Sequence, residues 1–107
     1  MQKRIYLLYT LLPTLGFLFA TPALSAEADL VKAEKVYKRS CATCHGKQGE
    51  KPAMGESKII NQLQPEEIST ALSERKAGNI TGAGSPAKQR LSEQDIHNLS
   101  EYIQTLK

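Results

Sequence analysis

The sequence has no tryptophan and only two cysteines and two histidines in 107 residues. Tyr6, Tyr9, Phe17 and Phe19 all lie near its start, so Tyr37 and Tyr102 are the only aromatic side chains further on. A short chain with so few large side chains lacks the material for a self-sufficient apolar core. No segment alternates apolar and polar residues with the period of a strand, which argues against a βαβ unit. The longest apolar run, from Ile5 to Ala20, is interrupted by Pro13 and Gly16 and falls short of the ~20 residues of a spanning helix. Basic residues are interspersed with acidic ones, so the clustered face of a nucleic-acid binder is missing too. There is no internal repeat and no low-complexity tract.

What opens the chain is an export signature. Lys3 and Arg4 precede the apolar stretch, and Ala23 to Ala28 supply small residues for cleavage. A cut after Ser25, Ala26 or Ala28 is expected, with Ala26 favoured over the other two. That divides the chain into a secretory signal peptide, residues 1–26, and one domain, residues 27–107. A retained anchor is the alternative. The whole chain has 14 basic and 11 acidic residues. Lys3 and Arg4 leave with the leader, so the formal balance falls from +3 to +1.

The two cysteines stand together in Cys41-Ala42-Thr43-Cys44-His45. A Cys-x-x-Cys-His run is an attachment sequence for c-type haem. Two intervening residues let one helical turn present both sulfurs to one edge of a porphyrin, where they add across the vinyl groups. His45 then reaches the iron from one face. Three other readings compete. A thioredoxin-like pair needs the βαβ setting that is missing here. Zinc would need Cys41, Cys44, His45 and His97 together, two of them adjacent. A disulfide across two residues contributes little, because short loops have little closure entropy to lose.

The remaining pattern is helical. Leu30, Ala33 and Tyr37 form one stripe of a helix over about 28–40, which the motif closes. Residues 46–56 hold Gly46, Gly49, Pro52 and Gly55 and read as a loop. Residues 57–63 read as a short helical piece. Pro65 suits the first turn of the next helix, with Leu63 and Ile68 as a hydrophobic staple, Glu67 as its third residue and Gly78 as its stop. Residues 78–86 read as a Gly-rich loop. Ser92 caps the last helix with Asp95 three residues on, flanked by Leu91 and Ile96, and Ile96, Leu99, Ile103 and Leu106 line its inner face. The expected fold is all-α, three main helices around one covalently bound haem.

Taken together these residues resemble a short bacterial class I cytochrome c. The resemblance runs through nearly the whole mature part: Tyr37 four residues before Cys41, the CATCHG motif, Pro52-Ala53-Met54, and the closing LSEQDIHNLSEYIQTLK. It implies that the first and last helices cross, with Ala33 facing Leu99 and Tyr102. It implies that the Pro52 carbonyl accepts the Nδ1 proton of His45, and that export delivers the chain to the periplasm, where haem is attached. The departure is the sixth iron ligand. The family places a Met before the last helix, a position that falls near Gly84 here. The only Met beyond the leader is Met54, expected to pack near the haem edge. Asn79, Lys88, His97, water or an open position are the other candidates, with His97 expected to point to solvent.

The resemblance implies a carrier of single electrons, not an enzyme, working with redox partner proteins and as a monomer. Lys47, Lys51, Lys58, Lys88 and Arg90 are candidates for a basic docking rim. The alternative function is a haem protein with an open or weakly ligated distal face that binds a small diatomic ligand. The cofactor-binding residues are then Cys41, Cys44, His45, Pro52 and Met54, with His45 on the metal.

Overall fold

Asp29 begins the ordered helix. Its carboxylate accepts the Lys32 N–H at 2.9 Å, satisfying one of the donors that a helix start leaves over. The computed structural model describes residues 16–18 and 27–107. The expected leader, residues 1–26, therefore lies outside the described residues apart from that triplet. Helix α1 (Leu30–Ser40) buries Ala33 and Tyr37. Leu30, expected on the same stripe, is 41% exposed, because it sits in the first turn, beyond the main contact.

The motif does not simply continue α1. Cys41 takes φ −123° and ψ −41°, and a separate turn, α2 (Ala42–His45), follows this break. Gly46 ends α2 at φ +84°. Beyond it come a 3-10 turn at Ala53–Gly55, inside the stretch read as loop, and a second at Ile60–Gln62, where a short helical piece was expected.

Helix α3 (Pro65–Ala77) starts where Pro65 predicts. The Glu67 carboxylate reaches back to the Gln64 N–H at 2.9 Å, and Gly78 ends the helix in the left-handed region at φ +84°. The stretch read as a loop to residue 86 instead closes into α4 (Ser85–Gln89), with Pro86 in its first turn. Helix α5 (Glu93–Gln104) carries the expected reciprocal cap. Ser92 Oγ accepts the Asp95 N–H, and Asp95 Oδ2 accepts the Ser92 N–H, each at 3.0 Å. No strand occurs among the described residues, and no helix there is long and apolar enough to cross a membrane.

Helix α5 is the hub, packing on α1 and on α3. The core is Ala33, Tyr37, Ile68, Leu91, Ile96, Leu99 and Ile103, with Tyr102 and Leu106 half-buried against it. Each fully buried Leu or Ile contributes about 1.5–3 kcal/mol. The small Ala33 lets α1 approach α5, and the Tyr37 and Tyr102 rings meet tilted by 54° with centroids 5.6 Å apart. Polar ties lock the same seam. Buried Asn98 accepts the Asp29 N–H at 3.0 Å, and Lys32 pairs with Asp95 at 3.0 Å. Gln104 donates to the Leu63 carbonyl at 3.1 Å, which fixes the other end of α5.

The cap at Ser92 is a testable element of this frame. Ser92→Ala should lower unfolding free energy by about 1 kcal/mol in urea titrations. The Ser92 N–H and the Lys32 ammonium hold the Asp95 carboxyl below its ordinary range. Its stabilisation is therefore present above the unfolded value of about 3.9 and lost as pH falls through the lower folded value. An Asp95→Ala protein should be less stable than the parent at pH 7, and the gap should close on strong acidification.

Candidate functional site

The site begins at the break between α1 and α2. Tyr37, with no exposed surface, sends its hydroxyl past the break to donate to the Gly46 carbonyl at 2.7 Å. The last turn of α2 is thus hung from the core by a residue nine positions earlier. Burial, with the nearby Cys41 and Glu50 groups, pushes the phenol up to about 12, so it stays a donor at any physiological pH. The His45 carbonyl accepts the Lys51 N–H at 2.9 Å, and Asn61 clips the loop from outside. The Asn61 side-chain amide donates to the Gln48 carbonyl at 3.0 Å, and its N–H donates to the Gly49 carbonyl at 3.2 Å. Gly49 is required here: its φ is +67°, and a Cβ would press on Ile60 Cγ1 at 3.0 Å.

Within this frame both thiols are free, Cys41 half-buried at the break and Cys44 exposed on α2. Burial raises the Cys41 thiol, and the Lys88 charge pulls it back. His45 is half-buried, with its Nδ1 enclosed and without a hydrogen-bond partner. Burial first, then the charges of Lys88 and Arg75, lower its proton affinity, opposed by the Lys51 backbone. The imidazole is therefore held neutral, the form that binds metal.

Pro52 and Met54 follow at the rim. The Pro52 carbonyl accepts the Gly55 N–H at 3.0 Å and keeps a second lone pair. Met54 is 76% exposed and adopts φ +56°, a left-handed conformation uncommon outside glycine. It makes no buried contact with the described protein core.

The other candidates diverge. Asn79 is exposed, and its amide donates to Glu74 Oε2 at 2.9 Å. His97 is exposed on a groove between α3 and α5 lined by Ser69, Ser73 and Glu101. Lys47, Lys51, Lys58 and Arg90 are exposed, as a docking rim requires. Lys88 is not: it turns inward to half-burial on α4, where burial and the Arg75 charge lower its proton affinity. Among the described residues no three His, Cys, Asp or Glu side chains gather as a metal cluster, so Cys41, Cys44, His45 and His97 do not form a zinc site.

The donor set fits covalent haem. Two unpaired thiols lie on one turn, an enclosed neutral imidazole follows, and the core beside them is short of apolar bulk. Sequence reasoning missed two contributors. Asn98 hides as a polar residue on the face of α5 that is otherwise apolar, and the inward turn of Lys88 depends on the unforeseen α4.

Tyr37→Phe isolates the anchor. It should cost about 1–3 kcal/mol, because the Gly46 carbonyl loses a buried donor. Thermal unfolding of parent and variant measures it.

The family model described as Cytochrome c matches residues 30–107. A protein named cytochrome c-553 from Helicobacter pylori (strain ATCC 700392 / 26695) is 41% identical over 83 residues, covering 77% of this chain and 86% of that protein. Its counterpart in strain J99 is 40% identical over 74 residues, covering 68% and 77%. Cytochrome c-554(547) of Halothiobacillus neapolitanus is 36% identical over 91 residues, covering 74% of this chain and 98% of the relative.

Proposed function

The chain belongs to the cytochrome c family, and on that premise we propose that it is an exported, periplasmic shuttle of single electrons. It is a small monohaem c-type cytochrome of class I, an electron carrier and not an enzyme. Haem c, held through Cys41 and Cys44, supplies a one-electron Fe(III)/Fe(II) couple.

The observation that carries the assignment of roles is the α2 turn with two free thiols and an enclosed, unpartnered His45 Nδ1. His45 would hold the iron through its other nitrogen. Nδ1 then needs an acceptor that fixes the ring, and the spare lone pair of the Pro52 carbonyl is the group assigned to it. Tyr37 and Asn61 hold this turn and its loop against displacement. Met54, exposed at the rim, covers the haem edge rather than the iron.

Residues 1–26 are the leader and residues 27–107 the mature domain, in keeping with a family match that starts at residue 30. Electrons pass to protein partners through a small transient contact, steered by the exposed Lys47, Lys51, Lys58 and Arg90. The mature protein works as a monomer.

A second reading is favoured by one observation: the segment that leads into the last helix, residues 78–92, contains no methionine, and Gly84 stands at the position where one is expected. An iron left open on that side would bind a small diatomic ligand.

Expression with export should give a cleaved protein whose mass includes one haem and whose visible bands sharpen on reduction. His45→Ala should lose normal ligation and the stable fold. A well-folded His45→Ala protein with the parental spectrum would overturn the assignment. Met54→Leu should leave the oxidised spectrum unchanged, whereas loss of a low-spin signal would make Met54 the ligand.

A further inference from the structure

The groups available to the iron opposite His45 are Met54, Asn79, His97 and Lys88, and their placement separates them. Met54 is 76% exposed on its own turn. Asn79 is engaged with Glu74. The groove that His97 lines includes no residue of the segment 41–56. Lys88 alone is drawn inward. Its Nζ lies over Gly84 so closely that a Cβ there would collide with it. The Lys88 charge is felt by Cys41, Cys44 and His45, more than forty positions earlier. Helix α4 packs on α3, so the amine is presented by a fixed element and not by a free loop.

We propose that Lys88 Nζ is the sixth ligand of the haem iron. This rests on the carrier reading above and deepens it. The ammonium gives one proton to solvent, the freed lone pair forms the Fe–N bond, and any water on the iron leaves; no electron is exchanged. The amine occupies the space that a side chain at Gly84 would take.

The competing role for a cation here is to pair with a haem propionate. Propionates leave the ring from the edge opposite the vinyl groups. Lys88 interacts electrostatically with both thiols and with His45, and the Lys88→Arg variant below separates the two roles.

The test uses the matured holoprotein, with covalent haem content measured first in every sample. Parent protein without covalent haem would overturn the carrier reading itself. With haem in place, the parent should be low-spin in both oxidation states, without the far-red band of a His/Met pair, and should resist CO. Lys88→Ala should lose the low-spin signal and bind CO readily, and added n-propylamine should restore it. Lys88→Arg keeps the charge but cannot give up its proton. It should behave as Lys88→Ala does if the amine binds iron. Low-spin spectra unchanged in both variants, or retained in Lys88→Arg alone, would overturn the proposal, the second result assigning Lys88 to a propionate. A parent that is high-spin and binds CO freely would overturn it as well.

Discussion

The hydroxyl of Tyr37 reaching the Gly46 carbonyl is the contact on which the rest depends. Its ring lies in the seam between the first and last helices, against Tyr102. Its oxygen grips the backbone immediately after His45. One side chain thus ties the packing of the helices to the position of the haem-bearing turn. Among the described residues no other buried side chain combines the two tasks. The break at Cys41 belongs to the same arrangement, since it ends α1 and starts the separate turn α2 that carries the motif.

Around this anchor the electrostatics favour a neutral imidazole. Lys88 and Arg75 bring positive charge towards His45, while the acidic residues nearest the helical seam are occupied elsewhere. Asp95 is engaged by its cap and by Lys32, and Glu74 by Asn79. The carboxylates therefore secure helix ends, and the cations shape the site. Until Lys88 gives up its proton, a protonated histidine would meet two like charges in a partly dry setting, which disfavours it against the neutral form.

The legible parts of the structure were those written in local chemistry. Pro65, Glu67, Gly78, Ser92 and Asp95 announced the two later helices because each satisfies or ends a backbone ladder within a few residues. Cys41 and Cys44 were legible as the attachment pair because attachment demands that spacing. Helix α4 was hidden, since Gly82, Gly84 and Pro86 read as loop, while the structure uses Pro86 to start a turn and Ser85 Oγ to accept the Gly82 N–H. Asn98 was hidden because its partner, the Asp29 N–H, is 69 positions away. Lys88 read as a surface charge for a similar reason: only the packing of α4 on α3 turns it inward. What depends on distant contacts leaves no periodic trace in the chain.

The two glycine-bearing loops differ in how they are held, and this decides where the chain can grow. Between His45 and Asn61 the Asn61 clip and the seat of Gly49 against Ile60 tie the two ends of the loop together. The stretch from Gly78 to Gly84 is largely exposed, and Cβ atoms at Gly78 and Gly82 would meet nothing. Graftings, tags and lengthened relatives of this chain should therefore concentrate their extra residues there, on the span just before the α4 turn, and leave the first loop at its present size.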